Sequence, residues 1–197
     1  NLYSCEGCGV CSHVCPAGAV RLLPDVAGKK ELYTGARVFS TATLKMGRGN
    51  SGKLVTEVKR AMLKAAPPCE LAIVDGSPGI GCPVIASVNG MDLVLVVAEP
   101  SGSGISDLKR LCATAATLQV QLAVCVNKYD VSPQHTERIE TFCRQQGIAF
   151  VGKIPFDPMA VRAVNEGTTV VDIDCPAGRA VREIFAKLTA LLTERSI

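Results

Sequence analysis

The chain has 197 residues, which is enough for one domain and a small additional module. Its formal net charge of +3 is too small to indicate a nucleic acid or an anionic membrane as a partner. With 48% hydrophobic and 20% charged residues, the composition is that of an ordinary globular protein. The longest strongly apolar run, residues 93–98, is too short to form a membrane span.

Ten cysteines is a high count for this length, and they are unevenly distributed. Four lie within the first 15 residues, whereas Cys112, Cys125 and Cys143 have the apolar surroundings typical of core positions. A secreted disulfide scaffold would be small and rich in loops, unlike this chain. The pattern favours a reducing cytoplasm and a thiolate metal site.

The N-terminal cysteines form a dense motif. From Cys5 to Pro16 the sequence follows C-x2-C-x2-C-x3-C-P, the pattern with which bacterial ferredoxins bind iron–sulfur clusters. Three thiolates two residues apart can surround one cubane, and Gly7 and Gly9 permit the turns. The alternative is structural zinc, although zinc sites usually separate two C-x2-C pairs by a longer loop. The motif predicts a 4Fe-4S cluster as cofactor, with four ligands: Cys5, Cys8, Cys11 and Cys15.

The single cysteine motif also bears on the number of clusters. In two-cluster ferredoxins the fourth cysteine of each motif ligates the other cluster, so Cys15 would reach towards a cluster whose own motif lies upstream of Asn1. The alternative is that Cys15 turns back to complete a single cluster. We favour the first interpretation, in which the sequence is truncated within a two-cluster unit. Residues 1–28 are then a ferredoxin-like module.

Residues 29–197 alternate between predicted strands and helices, beginning with a hairpin at residues 31–39. Short apolar runs predict parallel strands at residues 71–74, 93–98, 122–126 and 149–154. Helices are predicted at residues 54–66, 82–88, 105–118, 133–146 and 177–194. A further helix is predicted to start at residues 155–158 and to end at residues 165–167, followed by a short extended piece at 168–173. The alternation predicts an α/β domain with a mostly parallel sheet flanked by helices.

A glycine-rich stretch, residues 47–53, precedes the first of the long helices. It nearly matches the phosphate-binding loop G-x4-G-K-[ST], but Leu54 replaces the hydroxyl that would bind Mg²⁺. The alternative is a glycine-rich loop that caps the helix, with Lys53 in solvent. We favour the alternative.

The second motif is Asp75-Gly76-Ser77-Pro78-Gly79-Ile80-Gly81, directly after the apolar run at residues 71–74. A carboxylate at the end of a parallel strand is placed to hold Mg²⁺, directly or through water. Mobile glycines after it can respond to a phosphate. The alternative is an acidic turn that binds no ligand.

The third motif is Asn127-Lys128-Tyr129-Asp130, at the end of a predicted strand. Asn127 and Asp130 can present an amide and a carboxylate to the polar edge of a purine, and on chemistry alone the carboxylate pairs best with guanine. The alternative is an Asx-rich turn that closes the strand. In combination with Asp75, the motif favours a nucleotide site.

Together these motifs resemble the MinD/ParA-type P-loop ATPases, specifically the subgroup with an inserted ferredoxin-like domain. The matching stretches follow the family's order across nearly the whole chain. They are the cysteine motif, residues 49–56, residues 74–83, Glu99-Pro100 with Gly104, residues 127–130, and residues 154–158 with 165–167.

The resemblance implies Mg²⁺ and ATP rather than GTP. It implies that Asp75 is the Walker B carboxylate and that residues 76–81, including Gly76, Ser77, Pro78 and Gly79, form the switch that senses the γ-phosphate. It places Asn127 and the loop from Pro155 to Asp157 around the adenine. It also implies a homodimer formed across the nucleotide face and a redox or metalloprotein partner.

The chain departs from this family at the phosphate loop. The family's deviant Walker A loop belongs on a first strand that precedes the ferredoxin insert, and the 197 residues contain no such strand. Without that loop the β- and γ-phosphates lose most of their ligands. We therefore expect the chain alone to bind ATP weakly and to hydrolyse it negligibly.

Three functions remain open at this point. The first is an ATPase whose nucleotide cycle is coupled to redox chemistry or metallocluster handling on a partner. The second is a ferredoxin-like electron-transfer protein whose α/β domain is a docking platform. The third is a nucleotide switch whose cysteines bind structural zinc. Metal analysis distinguishes iron from zinc, and nucleotide binding distinguishes the first function from the second.

Overall fold

The computed structural model of the protein describes Cys5 and residues 7–49 and 51–194. Glu6 of the cysteine motif and Asn50 of the glycine-rich stretch lie outside the described residues. The chain divides into two compact units, unit 1 (Asn1–Ser87) and unit 2 (Val88–Ile197). The predicted module boundary after residue 28 falls inside unit 1 and stays a prediction.

Unit 1 is built on a hairpin with a helix against it. β1 (Gly28–Tyr33) and β2 (Phe39–Leu44) pair antiparallel, and a short helix, α1 (Val10–Val14), precedes them. α2 (Gly52–Ala65) packs on the hairpin, mainly on β2. The side chain of Ser51 caps α2, because its Oγ accepts the Leu54 N–H at 3.3 Å. α3 (Cys82–Val88) follows and ends at the boundary between the units.

Unit 2 is a three-stranded parallel sheet with helical crossovers. Its strands are β3 (Leu93–Ala98), β4 (Gln121–Asn127) and β5 (Ala149–Ile154), in the spatial order β3-β4-β5. The helices are α4 (Gly102–Thr117), α5 (Pro133–Gln146), α6 (Pro158–Asn165) and α7 (Pro176–Thr193). Short 3₁₀ turns at Tyr129–Val131 and Val170–Asp172 complete it.

The core of unit 2 has two layers, one on each face of β4. Val124 and Val126 face α4 and α5, where they pack with Leu108 and Ile139. Ala123 and Cys125, the alternate residues of the same strand, pack with Val151 and Ile184 on the side of α7. Successive side chains of a strand point to opposite faces, so a fully apolar strand is expected where helices cover both faces. The predicted parallel sheet flanked by helices is confirmed.

β3 is an edge strand. It pairs with β4 along its whole length, from Leu93 opposite Gln121 to Ala98 opposite Val126. On its other side, no strand pairs with it in the part of the chain that the structure describes. All six of its residues are apolar, a composition that parallel strands have when both faces of the sheet are covered.

Two predicted elements are wrong. Residues 71–74 form no strand: they have irregular backbone, and Leu71 and Ile73 are 44% and 74% exposed. A strand is stabilised by hydrogen bonds to a neighbour, and this segment pairs with no strand among the described residues. The second is the extended piece at 168–173, where Thr169 and Asp172 bond reciprocally and close a 3₁₀ turn.

A hairpin is present as predicted, but its second strand lies at Phe39–Leu44 and not at residues 36–39, because residues 34–38 form the connecting turn. Within the described residues, no helix combines the length and apolarity required to cross a bilayer.

Two thiols of the unit 2 core, Cys125 and Cys143, are 1% and 0% exposed. Burial raises the pKa of each thiol to about 11, and for Cys143 the neighbouring Cys112 contributes to the rise. In contrast, the thiols of Cys69 and Cys82 in unit 1 are free and exposed. Thiol reactivity therefore reports directly on the packing of unit 2.

We expect Cys125 and Cys143 to resist iodoacetamide in the native protein at about pH 8, because about 0.1% of such a thiol is ionised there. Cys69 and Cys82 should react about 100-fold faster or more, as followed by peptide mass spectrometry. Urea-unfolded protein, in which all these thiols become equivalent, is the control. Equal labelling of Cys125 and Cys69 in native protein would contradict the burial of Cys125 in the cluster with Val151 and Ile184.

Candidate functional site

Three loops of unit 2 lie at one edge of its sheet. Because β3, β4 and β5 are parallel, their carboxyl ends lie at the same edge. The loops begin at Glu99, Lys128 and Pro155. Ligands of open α/β sheets bind at this edge, so it is the candidate nucleotide site of unit 2.

The loop after β4 is tied to both neighbouring loops. Lys128 has left-handed backbone, with φ 54°, and its Nζ lies 3.4 Å from Glu99 Oε1. Asp130 Oδ1 accepts the Phe156 N–H at 2.7 Å, which connects the β4 and β5 loops. Half-buried Asn127 is the last residue of β4 and pairs with Ile154 in the ladder. Asp130 therefore positions a loop, a role that the sequence did not indicate, and base recognition by Asn127 and Asp130 stays a prediction.

Asp157 caps two helices at once. Its Oδ1 accepts the Met159 N–H of α6 at 3.0 Å, and its Oδ2 accepts the Ala177 N–H of α7 at 3.1 Å. The bond from Ala177 and then the bond from Met159 lower the pKa of Asp157. Both carboxylate oxygens are therefore engaged in capping. The predicted contribution of Pro155 and Asp157 to an adenine site stays a prediction.

The loop after β3 leads into α4 through a tight turn. Ser101 Oγ accepts the Gly104 N–H at 3.0 Å and caps the helix. A Cβ on Gly104 would lie 2.3 Å from the Glu99 carbonyl oxygen. The match of Glu99-Pro100 with Gly104 therefore has a steric basis, since only glycine fits at this turn.

In unit 1, residues 76–81 form the glycine loop, and both of its ends lie against α3. The Gly81 carbonyl accepts the Val84 and Ile85 N–H groups at 3.0 and 3.2 Å. At the other end, a Cβ on Gly76 would lie 3.9 Å from the Ser87 Cβ. Gly79 has φ 90°, in the left-handed region. Asp75, Pro78 and Gly79 are exposed and Ser77 is half-buried, so Asp75 is accessible to a hydrated cation.

The glycine-rich stretch at residues 47–53 ends in a capped helix. Ser51 caps α2, Lys53 is exposed, and a Cβ on Gly52 would lie 2.8 Å from the Cys82 carbonyl oxygen. The start of α2 therefore lies directly against the start of α3. This arrangement supports the helix-capping interpretation of residues 47–53.

The cysteine motif contains the predicted turns. Gly7 and Gly9 have φ 65° and 79°, in the left-handed region, and α1 begins directly after Gly9. All four thiols are free, with Cys5, Cys8 and Cys11 exposed and Cys15 half-buried. Backbone N–H groups of Ala19 and Ala17, in that order of effect, lower the pKa of Cys15.

The donors of this segment fit an iron–sulfur cluster by their chemistry. Thiolates are the usual ligands of such clusters, and amide hydrogen bonds to a ligating sulfur are part of how proteins tune them. In the described part of the chain, no three His, Cys, Asp or Glu side chains converge on one metal position. The four cysteines therefore supply suitable donors, and their ligation of one cluster stays a prediction.

The fold agrees with solved structures of the MinD type. The MinD cell division protein of Aquifex aeolicus superposes with a TM-score of 0.57, at 22% identity, over 71% of this chain and 61% of that one. The cell division ATPase MinD of Pyrococcus furiosus gives 0.57 at 17% identity, over 72% and 59%. No family model matches the chain. The fold is therefore the MinD-like α/β fold.

Curated relatives give more particular similarities. An uncharacterized protein of Methanocaldococcus jannaschii is 28% identical over 145 residues, 74% of this chain and 48% of the relative. An uncharacterized ATP-binding protein of the same organism is 33% identical over 126 residues, 60% and 46%. An iron-sulfur cluster carrier protein of Pyrococcus furiosus is 29% identical over 158 residues, 73% and 54%. The chain thus spans about half the length of the curated relatives it matches.

Proposed function

We propose that this chain is part of a MinD-type P-loop ATPase that couples ATP binding and hydrolysis to iron–sulfur cluster handling on a partner protein. The observation that supports this proposal most directly is that one chain combines a MinD-like fold with a run of four free cysteines. Relatives named as ATP-binding and as iron–sulfur cluster carriers support both halves.

In this proposal each unit has one part of the task. In unit 1, Asp75 would hold Mg²⁺ through water and the glycine loop would respond to the terminal phosphate of ATP. The metal would supply charge neutralisation at the phosphates. In unit 2, Asn127 and the loop from Pro155 to Asp157 would surround the adenine. Cys5, Cys8, Cys11 and Cys15 would hold the 4Fe-4S cluster.

The proposal extends to the assembly and to the place of action. We propose a homodimer formed through the nucleotide face, a redox or metalloprotein as client, and a cytoplasmic location. The reducing cytoplasm agrees with the ten free cysteines, none of which forms a disulfide in the part of the chain that the structure describes. Nucleic acid has no place in the proposal.

The test is whether Mg·ATP changes the cluster. Anaerobically reconstituted protein is examined for iron content, reduction potential and EPR spectrum, without Mg·ATP and with Mg·ATP at a concentration that saturates the weak binding expected of this chain. We expect a nucleotide-dependent change that Asp75→Asn abolishes and that Asp107→Asn, an exposed substitution on α4, retains. If ATP leaves cluster potential, dimerisation and partner binding unchanged, the coupled function is wrong and the electron-transfer alternative takes its place.

A second expectation concerns turnover by the 197-residue chain. We propose that residues 47–53 are not the primary phosphate loop, because Ser51 caps α2 and Leu54 stands where a Mg²⁺-binding hydroxyl is required. The chain alone should therefore bind ATP weakly and release no phosphate above the rate of a heat-inactivated sample. Robust turnover that Lys53→Ala abolishes would contradict this and would assign the phosphate loop to residues 47–53.

A further inference from the structure

We propose that Lys59 is a positioning residue that ties the glycine loop, through α3, to α2 and the β1–β2 hairpin, so that α2 follows any rearrangement of the loop. This inference rests on the proposed function for its biological meaning, because it gives the route by which a phosphate-sensing loop reaches the segment that follows the cysteine motif. The contacts that carry it all lie within unit 1.

The first step is the contact between the two helix starts. A Cβ on Gly52 would lie within 2.8 Å of the Cys82 carbonyl oxygen and 3.3 Å of the Cys82 Cβ. Such distances are closer than side chains tolerate, so the two backbones touch only because residue 52 is glycine. The start of α2 is therefore in direct backbone contact with the start of α3.

Lys59 supplies the second attachment, two turns further along α2. Its Nζ donates to the carbonyl oxygens of Ala86 and Ser87, at 2.9 and 3.1 Å, at the carboxyl end of α3. These carbonyls have no partner within their own helix, and a cation at this end also complements the helix dipole. Burial lowers the pKa of Lys59. A half-buried ammonium held by two carbonyls fixes the second end of α3 to α2.

The third step is the position of the glycine loop relative to α3. The loop meets the first turn of α3 through the Gly81 carbonyl and lies near its last turn through Gly76, beside Ser87. Ser87 is 5% exposed and its Oγ bonds to the Pro83 carbonyl at 2.8 Å. A change in the loop therefore acts on a short, internally bonded helix and not on a flexible segment.

The last step leads from α2 to the hairpin. Ser40 Oγ of β2 donates to the Val58 carbonyl at 2.9 Å, and Val58 precedes Lys59. Lys30 of β1 approaches Glu57 at 3.8 Å, Nζ to Oε2. Three consecutive residues of α2 thus contact the hairpin on one side and α3 on the other. β1 itself follows the residues that link it to the cysteine motif.

The experiment perturbs the loop without nucleotide. Gly79 has φ 90° and open space around the position of a Cβ, so Gly79→Ala strains the loop backbone without creating a clash. Gly147→Ala in unit 2, with φ 64° and equally open space, is the matched control. The readout is amide hydrogen exchange of α2 and β2, measured with Lys59 present, in Lys59→Met and in Lys59→Arg.

We expect Gly79→Ala to change exchange in α2 and β2 about threefold or more when Lys59 is present, and Gly147→Ala to leave it unchanged. Lys59→Met should remove the response while the glycine loop itself still changes, and Lys59→Arg, which keeps the donors, should restore it. If Lys59 had a purely structural role, Lys59→Met would raise exchange to the same extent with Gly79 present and in combination with Gly79→Ala. The double-mutant comparison therefore separates a structural role from a positioning role. An unchanged response in Lys59→Met would overturn the proposal.

Two further arms keep the test decisive. If Lys59→Met does not fold, Ser40→Ala is used, and it should weaken the response of β2 while that of α2 remains, because α2 stays joined to the hairpin by packing and by Lys30 with Glu57. A response of β2 that Ser40→Ala leaves at full size overturns the proposal. Addition of Mg·ATP to the parent chain, at a concentration that saturates its weak binding, separates the two hypotheses. If saturating Mg·ATP leaves exchange in α2 and β2 unchanged while Gly79→Ala still changes it, the proposed function is contradicted and the role of Lys59 is supported.

Discussion

Replacement of Cys11 by serine is expected to reduce the iron bound by the reconstituted protein about tenfold or more, with loss of its visible absorption. The physical reason is that a hydroxyl is a poor ligand for iron in a sulfide cluster, and Cys11 is the third thiol of the motif. Cys11 is the second residue of α1, the helix that begins after the left-handed Gly9. Iron and acid-labile sulfide are the quantities to measure.

The matched control for this substitution is Cys69→Ser. Cys69 is also a free, exposed thiol in unit 1, but it lies outside the motif, so its replacement should leave the iron content unchanged. Equal iron in both variants would exclude the cysteine motif as the ligand set. Zinc bound in place of iron, with no visible absorption in the parent chain, would favour the structural zinc site.

Replacement of Asp157 by alanine is expected to lower the thermal midpoint of unit 2 by about 5 °C or more, because one carboxylate caps both α6 and α7. Asp157→Asn keeps one acceptor oxygen and should cause roughly half that change. Circular dichroism melting measures the midpoint, and Asp107→Asn on α4 is the control. An unchanged midpoint in Asp157→Ala would contradict the double cap.

The same residue predicts a dependence on pH. The two N–H bonds hold the pKa of Asp157 below its ordinary value of about 3.8, so the folded state binds this proton less tightly than the unfolded state. Its contribution to stability is therefore complete above about pH 4 and is lost as the pH falls through the lowered pKa. The difference in midpoint between the parent chain and Asp157→Asn should accordingly shrink below about pH 4.

Local sequence was sufficient to predict a helix or strand where residues at both ends of the segment mark its limits. The strands at residues 93–98 and 149–154 and the helix at residues 133–146 were predicted with their observed limits. In these segments an apolar run lies between turn residues, or a helix begins at a proline and ends at the left-handed Gly147. Residues 71–74 have the same composition and form no strand, because pairing is a property of the neighbour and not of the segment.

The candidate site was predictable in its motifs but not in its contacts. Asp157 followed by proline has the pattern of a helix cap, and its bond to Met159 could have been expected. Its bond to Ala177 joins residues 20 positions apart and has no sequence signature. The same holds for Asp130 with Phe156 and for Lys59 with the end of α3. Polar residues that sequence reasoning assigns to ligands thus also serve to join loops.

The strand order of unit 2 has a consequence for how this part of the molecule forms. Because β3, β4 and β5 are neighbours both in space and along the chain, each pairing closes a single helical crossover and no longer loop. We therefore expect the three-stranded sheet to be an early-forming nucleus of unit 2. During folding in concentrated solution, the unpaired edge of β3 (Leu93–Ala98) would then be able to pair with a strand of another molecule and form oligomers.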